Sequence, residues 1–300
     1  MLEGRVAVIT GAGRGLGREH ALLFARLGAK VVVNDLGGRP DGAGVDGSAA
    51  ESVVAEIRAA GGHAVADTHS VTGFDDARAL IKRAIDTYGD LHVVVNNAGI
   101  LRDKMLVSMT EEDFDEVIAV HLKGTFNVTR HAAEYWRSQA KRVAEPIDRA
   151  IVNTSSGSGL QGNIGQTNYA AAKAAIAGMT LVHAPELKRY GVRVNTIAPI
   201  ARTRLTLQTP GLNERMGGPE WDPANVSPLV AYLSSERCRF TGQTFSAYGS
   251  SVHMYCPWST IHQVSTTGRW AVDELGEAME TTFPQRAIPQ SPLQRGRQEG

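Results

Sequence analysis

Apolar positions along this 300-residue chain form short continuous runs, separated by longer stretches of helical period. The runs at 5–10 (RVAVIT), 30–35 (KVVVND), 63–68 (HAVADT), 91–99 (LHVVVNNAG), 149–156 (RAIVNTSS), 192–199 (VRVNTIAP) and 243–252 (QTFSAYGSSV) read as strands. Between them, 17–28, 49–61, 73–88, a long stretch around 111–139, and 167–189 repeat apolar residues at helical spacing, with Gly28 as a stop signal. Unbroken Val/Ile strands alternating with helices predict an α/β protein: a doubly wound, parallel sheet of about seven strands with helices on both faces. The expected organisation is a dinucleotide-binding and catalytic domain over 1–253, a C-terminal extension over 254–287 and a disordered tail over 288–300. The polar, glycine-dotted stretch at about 201–227 reads as a substrate loop. In the extension, AVDELGEAM reads as a short amphipathic helix, and Trp258 and Trp270 are expected to pack on the domain.

Composition narrows the function classes. Lys plus Arg and Asp plus Glu both number 31, so no basic surplus points to nucleic acid. Two cysteines are too few for a disulfide framework, and the N-terminal stretch lacks the long apolar core of a signal peptide; a cytoplasmic location is expected. No apolar run is long enough to span a membrane. The nine histidines and two cysteines show no metal-ligand spacing, so no metal is expected.

The chemistry begins where the first strand runs into TGAGRGLG, Thr10 to Gly17. Gly11, Gly15 and Gly17 stand between a strand and a helix, where a tight turn and helix N–H groups can hold a pyrophosphate. A Rossmann-type dinucleotide site follows. Asp35 ends the second strand, where a carboxylate can take the adenosine ribose hydroxyls and repel a 2′-phosphate; NAD is favoured over NADP on this ground. Arg14 is the counter-argument, since a basic residue in the loop could meet that phosphate. At 96–99, NNAG offers small residues under the sheet edge, and a structural turn there is compatible with the same role.

Tyr169 and Lys173 lie four apart in NYAAAK and so share one helix face. In isolation such a pair is more often packing than chemistry. Ser156 changes that reading, because it ends the fifth strand thirteen residues earlier, at the same sheet edge. A lysine ammonium beside oxidised nicotinamide would lower the tyrosine pKa, and the phenol could then act as general base or acid on a carbinol or ketone.

These motifs, in this order, resemble the short-chain dehydrogenase/reductase family over about residues 4–252. A narrower resemblance runs through VVVNDLGG, VVVNNAGILRDK, VHLKGTFNVTRHAA and GNIGQTNYAAAKAAIAG. It points to the (3R)-hydroxyacyl-CoA dehydrogenase branch, found in peroxisomal multifunctional enzyme type 2 and in bacterial single-domain relatives, some acting on steroid CoA esters. The resemblance implies NAD-linked interconversion of a 3-hydroxyacyl-CoA and a 3-oxoacyl-CoA, and a homodimer or homotetramer. Alternatives are a steroid or other secondary-alcohol dehydrogenase without CoA, a 3-oxoacyl-thioester reductase, and a non-catalytic NAD(H)-sensing protein. It implies catalytic roles for Ser156, Tyr169 and Lys173, with Lys173 also on the nicotinamide ribose. Cofactor contacts would come from Gly11, Arg14, Gly15, Leu16, Gly17, Asp35, Ser70, Val71, Asn97, Ala98, Gly99, Tyr169, Lys173 and Thr203. His121 stands where many members carry a catalytic asparagine; a relay role and a core hydrogen bond are both open. His69 stands where an acidic residue commonly meets the adenine. Gln161, Asn163 and Ile164 are expected along the acyl pocket. Arg202, Arg204 and Arg215 are candidates for CoA phosphates.

Overall fold

The structure is a computed structural model, and it describes residues 1–39, 41–44, 46–208 and 216–284. The tail at 288–300, Arg215 and part of the expected substrate loop lie outside the described residues. Eight strands build one sheet: β1 (Val6–Thr10), β2 (Lys30–Asn34), β3 (His63–Asp67), β4 (Val93–Asn96), β5 (Arg149–Thr154), β6 (Val192–Pro199), β7 (Thr244–Tyr248) and β8 (Ser251–Tyr255). Their spatial order is β3-β2-β1-β4-β5-β6-β7-β8. The first seven run parallel, and β8 returns antiparallel on β7. The strand count is therefore eight rather than about seven. The run expected as one strand over 243–252 breaks at a turn, where Gly249 takes φ 51°. A side chain would disfavour that left-handed backbone. Strand β8 crosses the expected boundary at 253–254.

The helices are α1 (Gly15–Arg26), α2 (Ser48–Ala59), α3 (Phe74–Tyr88), α4 (Glu111–Ile118), α5 (Gly124–Val143), α6 (Gly157–Gln161) and α7 (Thr167–Lys188), followed by Ser227–Leu233 and Val272–Thr282. The central strands β1, β2, β4 and β5 are buried on both faces, and alternate residues feed two cores, while β8 is largely exposed. Ala7, Ile9, Val31, Val33, Val93 and Val95 pack with α1, α2 and the Ser227–Leu233 helix. Val6, Val8, Val32 and Val94 pack with α3 and α5 on the opposite face. Trp136 anchors α5 from the second core, fully buried, with Nε1 donating to Leu91 O at 2.7 Å.

The expected long helix around 111–139 is interrupted. Between α4 and α5, residues Ala119–Lys123 form a π-helical turn that carries His121 inward. A capping box starts α4: Thr110 and Asp113 exchange backbone and side-chain bonds. Trp258 is 72% exposed, so the packing expected of it within the chain is not found. The strand order reverses between β1 and β4, and that switch point places a crevice at the carboxyl edge of the sheet.

Candidate active site

One cleft opens at this edge. Of the residues expected to hold a cofactor, Gly11, Arg14, Gly15, Leu16, Asp35, Ser70, Val71, Asn97, Ala98, Gly99 and Thr203 all line it. Gly17, Tyr169 and Lys173 do not line the cleft. Gly17 lies against the loop backbone, and a Cβ there would meet Gly11 O at 2.2 Å. The glycine loop is thus folded onto itself before any ligand arrives. No side chain caps the first turn of α1, which leaves its N–H groups without a side-chain partner beside the cleft.

Asp35 is set by two backbone donors. Gly13 N donates to its Oδ2 at 2.8 Å and Gly37 N to its Oδ1 at 2.6 Å. The carboxylate therefore has a fixed orientation, and each oxygen keeps lone-pair capacity for a further donor. Gly13 was not among the expected contacts. A Cβ there would lie 2.9 Å from the Asp35 carboxylate, so the position requires glycine. These features fit the adenosine ribose and pyrophosphate of a dinucleotide.

Asn97 has a different job from a simple cofactor contact. Its Nδ2 donates to Thr10 O at 3.0 Å and to Gly11 O at 3.1 Å, so it ties the β4 end to the glycine loop. Thr10 Oγ1 accepts in turn from Asn97 N and Ala98 N. Ser70 and Val71 are held from a distance. Asn127 on α5 donates to Val71 O at 2.9 Å and Thr72 O at 3.2 Å. Asp67 is buried, with its carboxylate engaged by Asn34 Nδ2 and by His69 N and Nδ1, and it does not line the cleft. Arg204, a candidate for CoA phosphates, lies in the cofactor cleft beside Arg14 and Asp35 instead.

The reacting groups gather just inside. Ile100 lines the cleft and packs with Tyr169 and Ala172. Ser156 caps α6, its Oγ accepting from Ser158 N at 3.1 Å. Lys173 is 3% exposed, donates from Nζ to Thr154 O at 2.6 Å and lies 5.5 Å from the Tyr169 ring centroid. Helix α6 presses closely on α7: a Cβ at Gly159 would meet Ala174 N at 2.6 Å.

Burial pushes Tyr169 up to about 12, the Ser156 hydroxyl counters it, and the Asp103 charge adds to it. Burial pulls Lys173 down to about 7. The protein alone therefore does not make the tyrosine acidic. Desolvation disfavours phenolate and ammonium alike, and no protein carboxylate is hydrogen-bonded to Lys173 among the described residues.

His121 is buried and meets Tyr169 edge-on at 5.1 Å. Its Nε2 lies 2.8 Å from Ile100 O and 3.1 Å from Ile100 N, while its Nδ1 has no hydrogen-bond partner among the described residues. Burial, then the nearby Lys173, holds its pKa well below the usual range, against the opposing bond to Ile100. Among the expected acyl-pocket residues, Asn163 donates to Gln166 Oε1 at 2.8 Å, Ile164 is 74% exposed, and Gln161 keeps a buried Oε1 unpartnered. None of the three lines the cofactor cleft.

The profile of the short chain dehydrogenase family matches residues 5–209. A Mycobacterium tuberculosis protein named hydroxyacyl-CoA dehydrogenase ChsB1 is 43% identical over 300 residues, covering 97% of this chain and 92% of its own. Peroxisomal multifunctional enzyme type 2 of Drosophila melanogaster is 46% identical over 255 residues. That match covers 84% of this chain and 40% of the larger enzyme. The crystal structure of a short chain dehydrogenase from Mycobacterium avium superposes with a TM-score of 0.84 at 47% identity, over 96% of this chain and 99% of that one.

Proposed function

The chain belongs to the short-chain dehydrogenase/reductase family, oxidoreductases that typically use NAD or NADP, and from that premise we propose that it is an NAD-dependent 3-hydroxyacyl-CoA dehydrogenase. The observation that carries the chemistry is Tyr169 with Lys173 Nζ 5.5 Å from its ring centroid, packed behind Ile100, which lines the glycine-walled cleft, with Ser156 heading the adjoining α6. The acyl-CoA substrate rests on likeness to relatives of that name. A bulky or steroid-derived acyl group is proposed as the natural substrate. Preference for NAD rests on the ionic fork of Asp35, pinned by Gly13 and Gly37 where a 2′-phosphate would sit.

In this reading Ser156 Oγ hydrogen-bonds the substrate oxygen. Tyr169 Oη removes the carbinol proton in oxidation or returns it to the ketone in reduction. Lys173, fixed by Thr154 O, presents its amine to the nicotinamide ribose and to the phenol. Bound NAD supplies the hydride acceptor and a positive charge that favours phenolate. The free site keeps Tyr169 protonated, so oxidation is expected to speed up as pH rises. Arg14 and Arg204 face the same end of the cleft as Asp35.

No described helix is long and apolar enough to cross a membrane. We place the enzyme in the cytoplasm, as a homodimer or homotetramer. Phe126 on α5 and Leu181 and Val182 on α7 stay exposed, which supports self-association through those helices.

The test is NADH formation with NAD and a panel of (3R)- and (3S)-hydroxyacyl-CoAs, including steroid side-chain esters, beside free sterols. Turnover confined to one 3R thioester class supports the assignment. Silence on every thioester, with oxidation of a free alcohol, removes CoA from it. Tyr169→Phe is expected to cut turnover by about 10²-fold or more while NADH binding persists; a fully active variant would end the mechanism.

A further inference from the structure

Three strands carry a buried polar row across an apolar face. Asn96 at the end of β4, Asn153 in β5 and Thr196 in β6 stand side by side in register. Two residues earlier in each strand, Val94, Ile151 and Val194 pack in the core that α5 and α7 cover, and strand alternation puts the polar row on that same face. Asn96 Nδ2 donates to Thr129 Oγ1 on α5 at 3.0 Å and to Asn153 Oδ1 at 2.9 Å. Asn153 Nδ2 donates to Thr180 Oγ1 on α7 at 2.9 Å. Thr180 Oγ1 donates to Ile176 O at 3.1 Å and lies 2.6 Å from Thr196 Oγ1. Asn153, Thr180 and Thr196 are fully buried, and both ends of the Asn153 amide are engaged. At such depth a polar row selects one arrangement, because a shifted helix would leave its groups unpaired.

Helix α7 has little else to select its rotation. From Ala170 to Gly178 it is alanine and glycine apart from Lys173 and Ile176, so its ridges there are shallow. Thr180 lies eleven residues beyond Tyr169 and seven beyond Lys173, on the stripe of the helix that carries both. Nearer the cleft, Ser155 Oγ donates to Lys173 O at 2.7 Å and Lys173 Nζ to Thr154 O at 2.6 Å. The β5 segment therefore grips α7 at two levels, about 10 Å apart along the helix. Ser156 follows directly on that segment.

We propose that Asn153 and Thr180 are positioning residues: the bond between them fixes the rotation of α7 against β5, and with it the aim of Tyr169 and Lys173 relative to Ser156. Neither lines the cofactor cleft, and both act through the helix. This role depends on Ser156, Tyr169 and Lys173 being the reacting groups, as proposed above.

The test compares wild type with Thr180→Ser, Thr180→Val and the triple variant Asn153→Leu/Thr180→Val/Thr196→Val. Serine keeps the hydroxyl. Valine keeps the shape and leaves Asn153 Nδ2 unpaired. The triple variant turns the row apolar beyond Asn96, whose Nδ2 keeps Thr129, so folding is retained and melting stays within a few degrees of wild type. Should Thr180→Val fail to fold, the triple variant carries the comparison. Thr180→Val and the triple variant are expected to lose about 10- to 10²-fold in kcat, with KM and the NADH Kd within about twofold and Thr180→Ser within about threefold of wild type. Amide exchange over residues 169–176 of the free protein should quicken by about tenfold in the triple variant and not in Thr180→Ser. A triple variant as fast as wild type, serine as slow as valine, or a lower melting temperature with kcat intact in Thr180→Val overturns the inference. If wild type turns over none of the panel, the function proposed above fails on its own; amide exchange then decides, and unchanged protection over 169–176 in the triple variant overturns the positioning role.

Discussion

Lys173 carries an unfavourable electrostatic load in the site. Its ammonium is buried with one carbonyl partner, and burial brings it to about 7. An unfolded lysine near 10.5 binds a proton more tightly, so unfolding takes up a proton between about 7 and 10.5. The penalty on the fold is full below that window and fades as pH rises through it. Lys173→Met is expected to abolish turnover yet stabilise the protein by about 1–3 kcal/mol at neutral pH, after allowing for the lost bond to Thr154 O. Thermal melts should show the variant above wild type at pH 7 and the gap closing toward pH 10. At the other end of the cleft, Asp35→Ser removes the charge that faces a 2′-phosphate while keeping a hydroxyl. The ratio of kcat/KM for NADP to that for NAD should rise by at least about tenfold, equivalent to ~1.4 kcal/mol. An unchanged ratio would mean that Asp35 does not read the ribose.

Helices α6 and α7 form a clamp, and Gly159 is its hinge of close contact. A side chain there meets the backbone of α7 at 2.6 Å. Gly159→Val should push α6 outward and carry Ser156 away from Tyr169, without touching the glycine loop. The expected result is a fall in kcat of about 10²-fold with NADH affinity nearly unchanged, measured by steady-state kinetics beside fluorescence titration. Loss of both together would place the contact in the fold rather than the site. The π-helical turn between α4 and α5 belongs to the same scale. It carries His121 into the space behind Tyr169, and no spacing of apolar residues announced it, because one extra residue per turn leaves the helical pattern on either side intact.

At the scale of the molecule, Asp148, just before β5, ties Arg5 at the start of β1 to Arg193 in β6. It accepts from Arg5 at 2.8 Å and also pairs with Arg193; Arg5 is buried. Burial raises the Asp148 pKa, but Arg193 and Arg5 outweigh it and hold it below the ordinary value. Its contribution is therefore present above about pH 4 and lost as pH falls through the depressed folded value. Asp148→Asn should cost about 1–3 kcal/mol at pH 7, discounted for partial exposure, with the difference from wild type shrinking toward pH 3. Chemical denaturation at several pH values checks it. Light scattering after size exclusion should give a dimer or tetramer, and Val182→Glu should shift it toward smaller species; a monomeric wild type would remove the proposed interface.

Much of this molecule is written in local pattern. The unbroken Val runs, the TGAGRGLG loop, Asp35 and the Ser156–Tyr169–Lys173 spacing were legible because strand alternation, helix period and tight turns are short-range consequences of residue type. The turn at Gly249 was not, because two short strands joined by a turn read as one run until pairing partners are known. Gly13, Asn127, Asp103 and Arg204 were also missed or misplaced. Each acts on a residue far along the chain: Asn127 on Val71, Asp103 on Gln166, Arg204 near Asp35. The pKa of Tyr169 belongs with them. Sequence names a tyrosine and a lysine on one helix face, but desolvation and the distance to each charge exist only in the folded chain, where burial raises the Tyr169 pKa and lowers that of Lys173.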